Sequence, residues 1–371
     1  MTYRDDTYHV LEMGGGHMHP ERLPMSNRSR RRFLTLLTGF GAGAFLSART
    51  SVAQRKPATI KKPRLIDLHH HFFPPAFITA ALDKYRQRQQ AIVSEWTPQK
   101  ALAEMDRRGV STAVLSITTP GIWFGDAQAA RTLARKCNEY AAQMVKDNPT
   151  RFGFFAAIPL PDAEGSLREI EYALDVLKAD GIGLMTSYGD RWLGDAGFAS
   201  ALDELNRRKA IVYVHPTAAN CCRDLMPDVP ASFIEYPHDT TRAITNLLYS
   251  GSFARLRNIR FIFSHAGGTV PMLAGRISQL GTLEGSNIKV PNGVEYELKR
   301  LYYEIANSAN RPTMAALTNL VPTSQIMFGT DYPFVPIEIT ADGMQTLKLS
   351  AKELQAIGRD NALALLPRLN T

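Results

Sequence analysis

From Leu65 onward, short runs of apolar, β-branched and aromatic residues alternate with longer stretches in which apolar positions recur every three or four residues. The runs are Leu65 to His69, Thr112 to Ile117, Phe152 to Ile158, Gly183 to Thr186, Ile211 to His215, Arg260 to Ser264, Leu301 to Ile305 and Ile326 to Gly329. Runs this short, bounded by turn residues, read as buried strands. Between them, Ala127 to Asp147 sets Leu133, Cys137, Tyr140 and Met144 at helical spacing before Asn148-Pro149 ends it. Ser166 to Lys178 repeats the pattern with Leu167, Ile170, Leu174 and Leu177, and Gly181 follows as a stop. Thr97-Pro98 supplies a cap and a first-turn proline to a further helix that closes at Gly109.

Strand followed by helix, repeated, implies parallel strands joined by helical crossovers, and eight such units favour closure into a (β/α)8 barrel of the α/β class. The length of 371 residues permits one such domain. No Gly-x-Gly-x-x-Gly follows the first strand, which removes the usual dinucleotide-binding alternative. A barrel of this kind carries its active site at the carboxyl ends of its strands.

That rim is where the chemically distinctive residues fall. His69 and His71, in Asp67-Leu68-His69-His70-His71, are two apart at the end of the first run and so share a face. His215 ends the fifth run, His265 follows the sixth, and Asp331 follows the eighth in Gly329-Thr330-Asp331-Tyr332-Pro333. Imidazole and carboxylate together suit zinc and its first-row neighbours. One histidine after a strand means little. Here, however, residues 64 to 371 hold six histidines and four of them end strands on one rim.

Charge changes the picture only at the N-terminus. Residues 1 to 63 carry eleven Lys and Arg against four Asp and Glu, and the remainder carries 32 against 31. The nearly neutral body lacks the basic surface that nucleic acid requires. The N-terminal excess includes Ser29-Arg30-Arg31-Arg32-Phe33-Leu34, followed by a Gly-rich apolar stretch to Leu46 and by Ser51-Val52-Ala53, and this order is similar to a twin-arginine export signal. Phe33 to Leu46 is shorter than the roughly 20 residues of a spanning helix, so no membrane span is expected. The expected organisation is an N-terminal region, 1–53, with the signal at about 25–53, a linker at 54–63, and a barrel domain at 64–371. Export to the periplasm or beyond follows, or a cytoplasmic location if the signal is not functional, with either Met1 or Met25 as the start. His17 and His19 therefore carry no weight as ligands, and Cys137, Cys221 and Cys222 read as free thiols.

The rim motifs, with Ser264-His265-Ala266-Gly267-Gly268 and the late Asn361-Ala362-Leu363, resemble the amidohydrolase superfamily over about Arg64 to Leu366. The resemblance is to the branch of aminocarboxymuconate-semialdehyde and resorcylate-type decarboxylases. Glu235-Tyr236-Pro237-His238-Asp239-Thr240-Thr241-Arg242 is most similar to 6-methylsalicylate decarboxylases. The resemblance implies that His69, His71, His215 and Asp331 hold a metal and that His265 and Asp331 handle protons. It implies one metal rather than two, because Gly183-Leu184-Met185-Thr186-Ser187 lacks the strand-four lysine of binuclear members. Zn²⁺ is the first choice and Mn²⁺ the second. Arg276 matches an arginine that in aminocarboxymuconate-semialdehyde decarboxylases reaches a neighbouring subunit's site, which implies a homodimer or higher oligomer.

The loops after the strands carry large aromatic side chains, among them Phe73, Trp123, Tyr188 and Trp192, which suit walls around a planar ring. Together with Arg276 they are the expected contacts of a small carboxylic acid substrate. The first expectation is a metal-dependent decarboxylase of a small aromatic or unsaturated acid. A metal-dependent hydrolase of the same superfamily and a non-catalytic exported metal-binding protein stay open as alternatives.

Overall fold

A computed structural model describes residues 64–222, 225–226, 228–282 and 289–370. The expected export signal, at about 25–53, and the expected linker, 54–63, lie outside the described residues. Eight strands form one parallel sheet in sequential order: β1 (Leu65–His71), β2 (Val110–Ser116), β3 (Phe152–Ala157), β4 (Gly181–Met185), β5 (Ile211–His215), β6 (Arg260–Phe263), β7 (Tyr302–Glu304) and β8 (Ile326–Met327). Every run read as a strand contributes one. The sheet curls until the chain leaving β8 meets β1, where Leu68 N–H donates to Phe328 O at 3.0 Å and His71 N–H to Tyr332 O at 2.8 Å.

The helical stretches form where their caps place them. Thr97 Oγ1 accepts from Lys100 N–H at the start of Pro98–Arg108, and Gly109 ends that helix in the left-handed region at φ 76°. The long helix Ala127–Asp147 turns Leu133, Cys137 and Met144 into the core. The next begins three residues earlier than its periodicity indicates, at Ala163, because Asp162 Oδ1 accepts from Gly165 N–H at 3.1 Å and acts as its cap. Past Glu171 it widens into a π-type turn over Tyr172–Val176 and ends before Lys178, which takes φ 59°.

Only β5 keeps its expected bounds; the other seven strands differ by one or two residues at one end or both, and for β1 and β8 the reason lies in pairing. β1 continues to His71 because His71 pairs with Ser116 as well as with Tyr332. β8 stops at Met327, after which single hydrogen bonds rather than a ladder carry the chain past β1. Within the barrel, Ile66, Leu68, Val114, Phe155, Tyr213, Ile262 and Met327 pack together with Leu365, Leu366 and Leu369 from the C-terminal segment. Asn361 Nδ2 ties that segment to the start of β8 through Thr323 O and Ile326 O. The lumen is thus filled from its amino-terminal end, and the polar residues are left at the other. Among the described residues, no helix is long and apolar enough to cross a membrane.

Candidate metal centre and active-site pocket

A slip in pairing aims the first two histidines. Asp67 pairs with Ala113 and His70 with Leu115, so β1 carries one residue more than β2 over this interval. The bulge lets Leu68 stay in the lumen cluster while His69 and His71 both reach the rim above it. His70 turns instead to Asp67, with Nδ1 at 2.9 Å from Oδ2, and stacks on Tyr332 at 4.8 Å. Asp67 also accepts from the backbone N–H of His69 and of Thr330, each at 3.0 Å, and from Thr330 Oγ1 at 2.6 Å. One buried carboxylate therefore joins β1 to the turn that carries Asp331.

The structure brings His69, His71, His215 and Asp331 together, with one donor atom from each within 4.8 Å of all the others. His69 Nε2 lies 3.0 Å from His71 Nε2 and 3.3 Å from Asp331 Oδ1, and His71 Nε2 lies 3.1 Å from the same oxygen. The far nitrogen of each ring is engaged elsewhere. His71 Nδ1–H donates to Ser116 O, His215 Nδ1–H to Pro216 O, and His69 Nδ1 faces Glu304 Oε1 at 2.7 Å. With Nδ1 as each ring's protonated nitrogen, three Nε2 lone pairs and a carboxylate oxygen would be free to converge on one point. Such a set of three imidazoles and one carboxylate suits one divalent first-row cation.

Protonation tells the same story. Burial lowers the pKa of His71 and, with the neighbouring His71 and His69 adding to it, takes His215 well below the ordinary imidazole value, so both are neutral at pH 7. Burial opposes charge on His69 as well, but Glu304 and Asp331 beside it prevail and raise it to about 10. Burial pushes the Asp331 carboxyl up, yet His69 and His71 hold it well below the usual carboxylate range. With only protons to distribute, the cluster places a positive charge where the four donors meet.

Glu304 closes β7, in Tyr302-Tyr303-Glu304, and belongs to no motif on the rim. It is fully buried, and its Oε1 accepts from His69 Nδ1 and from His265 N–H at 3.0 Å while Oε2 accepts from Ala306 N–H at 2.6 Å. Gly329 makes room for it: a Cβ there would lie 2.2 Å from Glu304 Oε2 and 2.9 Å from His69 Cβ. His265 stands beside this group with its ring 4.9 Å from that of His69, and its Nδ1–H donates to Ala306 O at 2.9 Å. Its Nε2 is thereby left as the atom that can hold or move a proton. Gly268 permits the turn after it, since at φ 66° a Cβ would lie 2.0 Å from Pro237 O.

A cavity of about 110 Å³ adjoins these donors and is lined by Lys84, Tyr85, Gln89, Thr118, Thr119, Pro120, His215, Tyr236, Asp331 and Phe334. That volume is of the order of the ~150 Å³ cavity known to hold a benzene ring. The expected substrate contacts are placed differently from one another. Phe73 is buried behind Phe334, 5.8 Å away, and also meets Trp96. Tyr188 accepts from Met185 N–H and lines a second cavity of about 20 Å³ with Ile122, Phe155 and Met185. Trp192 donates from its indole to the buried Asp239 at 2.7 Å. Trp123 is half-buried on the loop after β2, and Arg276 is exposed on the helix Val270–Gln279. None of these five lines the larger cavity. Tyr85, Tyr236 and Lys84 do: Lys84 and Tyr85 stand at the end of the short turn Leu82–Lys84 and Tyr236 in the first turn of the helix Glu235–Tyr249, where no strand end marks which side chain faces inward.

A sequential parallel barrel that gathers His-x-His from β1, a histidine from β5 and an aspartate after β8 defines a metal-dependent hydrolase-type barrel. The family described as Amidohydrolase matches residues 66–368, and the chain belongs to it. Within that family its relatives include decarboxylases. The decarboxylase yanB of Aspergillus niger is 37% identical over 321 residues, covering 82% of this chain and 87% of that protein. The 6-methylsalicylic acid decarboxylase acuB of Aspergillus aculeatus is 36% identical over 318 residues, covering 82% and 96%. The fold is shared with a dihydroxybenzoic acid decarboxylase from Polaromonas sp. solved with bound manganese and 2-nitroresorcinol, at a TM-score of 0.74 and 22% identity over 83% of this chain and 98% of that one.

Proposed function

We propose that this protein is a metal-dependent decarboxylase of a small aromatic carboxylic acid, with hydroxybenzoates of the 6-methylsalicylate type as its substrates. The observation that carries the reading is a cavity of single-ring size whose wall includes His215 and Asp331, two of the four convergent donors. His69, His71, His215 and Asp331 would hold one divalent ion, Zn²⁺ by preference for this donor set and Mn²⁺ as the alternative found in the Polaromonas enzyme's structure. When bound, the ion supplies Lewis acidity toward an oxygen of the substrate. Phe334, Tyr236 and Pro120 position the ring. Asp331 lies at the cavity wall, where it would pass the proton of the substrate's own phenol to the ring carbon that gives up CO₂, and His265 Nε2 would return a proton to the phenolate oxygen left behind. We also propose that residues 25–53 direct export.

The test uses metal-free protein reloaded separately with Zn²⁺ and Mn²⁺ and assayed for CO₂ release from a panel of hydroxybenzoates. Turnover that is abolished in His265→Ala at retained metal content is expected. No turnover on that panel, with hydrolysis of lactones or amides instead, overturns the reading in favour of a hydrolase. Stoichiometric metal without turnover in either class leaves a binding protein.

A further inference from the structure

We propose that Lys84 binds the carboxylate of the substrate, so that one chain supplies the counter-charge its own pocket needs. This inference rests on the aromatic-acid reading above and names the group that recognises the acid. Two carboxylates, Asp331 and Glu304, stand among the donor groups at the floor of the site, as many as one divalent cation balances. An incoming carboxylate then adds a charge that nothing at the floor offsets. Among the residues lining the cavity, Lys84 is the one cation.

Its placement suits the task. Lys84 ends the short turn Leu82–Lys84, directly before Tyr85. Tyr85 is buried, donates its hydroxyl hydrogen to Thr119 O at 2.7 Å and stacks on Phe334 at 6.1 Å. The backbone beside Lys84 is therefore fixed to the pocket wall on two sides. The ammonium lies 5.1 Å over the Phe124 ring, on the loop after β2, and so bridges two loops at the mouth. Its charged neighbour is Asp83, at 3.5 Å with 77% of its side chain exposed. An exposed pair of this kind holds the ammonium weakly, so it can turn to a desolvated carboxylate. Gln89 adds an uncharged donor on the same wall. Arg276, the cation expected for this role, is exposed and outside the cavity of its own chain.

A contact to the carboxylate is strongest before CO₂ forms and fades as the charge moves into the ring. It therefore lowers KM without raising kcat. In metal-loaded Lys84→Met, KM for a hydroxybenzoate should rise roughly tenfold with kcat not reduced, while inhibition by the neutral phenol product stays as in the unaltered enzyme. Lys84→Arg should restore most of the affinity. Calorimetric titration of the same acid into metal-loaded protein gives the readout independently of turnover. An acid affinity in Lys84→Met within about twofold of the unaltered protein overturns the inference, as does an equal loss for acid and phenol. A tenfold loss in Arg276→Met with none in Lys84→Met assigns the carboxylate to a neighbouring copy's arginine and overturns it too. Absence of turnover in the unaltered enzyme counts against the decarboxylase reading alone, because the acid titration still decides the role of Lys84.

Discussion

Glu304 engages three N–H groups with two buried oxygens, so Glu304→Gln perturbs the metal centre without touching a ligand. The amide keeps the shape but carries one oxygen and one NH₂. If the NH₂ takes the place of Oε2, it faces the Ala306 N–H that now lies 2.6 Å away, and that donor is left unpaired at a cost of about 1–3 kcal/mol. If it takes the place of Oε1, it faces His69 Nδ1, now at 2.7 Å, and the histidine must shift its proton to Nε2, the atom that would hold the metal. Either placement also replaces a charge-assisted hydrogen bond by a neutral one of about half its strength. Metal affinity should therefore fall by about 10- to 100-fold, the range typical for losing the partner that orients a metal-binding histidine. Competition with a chromophoric chelator measures the affinity, and circular dichroism checks that the variant is folded. A folded Glu304→Gln protein that binds Zn²⁺ and Mn²⁺ as tightly as the unaltered chain would refute the role assigned to the His69–Glu304 bond.

Three further outcomes are expected. His69 stands at about 10 in the metal-free protein, above its ordinary value of 6.5, so its proton adds stability that is fully present below pH 6.5 and lost as pH rises through about 10. Metal uptake must expel that proton, so near neutral pH about one proton should be released per ion and affinity should climb with pH, a shift that calorimetry in buffers of different ionisation heat reads directly; heats independent of buffer contradict it. Gly329→Ala forces a methyl group to within 2.2 Å of Glu304 Oε2 and should lower stability by roughly 1–3 kcal/mol along with metal content, whereas an unchanged melting temperature and full metal loading count against the close approach. Arg30→Lys combined with Arg31→Lys should keep the protein in the cytoplasm of a twin-arginine-competent bacterium that exports the unaltered chain; equal export of both rules out the signal.

Strand and helix positions, the closed parallel barrel and the five rim residues are legible in the sequence because each depends on local spacing. Apolar runs of strand length show where the lumen is, and a barrel sends whatever ends its strands to one rim. His69 and His71, two residues apart, follow from that rule, as do His215, His265 and Asp331. Glu304 was within reach, since a carboxylate inside an apolar run such as Leu301 to Ile305 needs a buried partner, but nothing local names that partner as a histidine 235 positions away. The bulge between Asp67 and His70 is equally silent, because it is defined by pairing with β2 rather than by any pattern within β1. Aromatic residues in loops show that rings are available, but not which ones face the cavity. Phe73 packs behind Phe334 and Trp192 is held by Asp239, while Tyr85 and Lys84 come forward. Architecture and rim residues thus follow from periodicity and strand ends. What orients those residues and what lines the cavity follow from contacts between segments far apart in the chain, which no local pattern encodes.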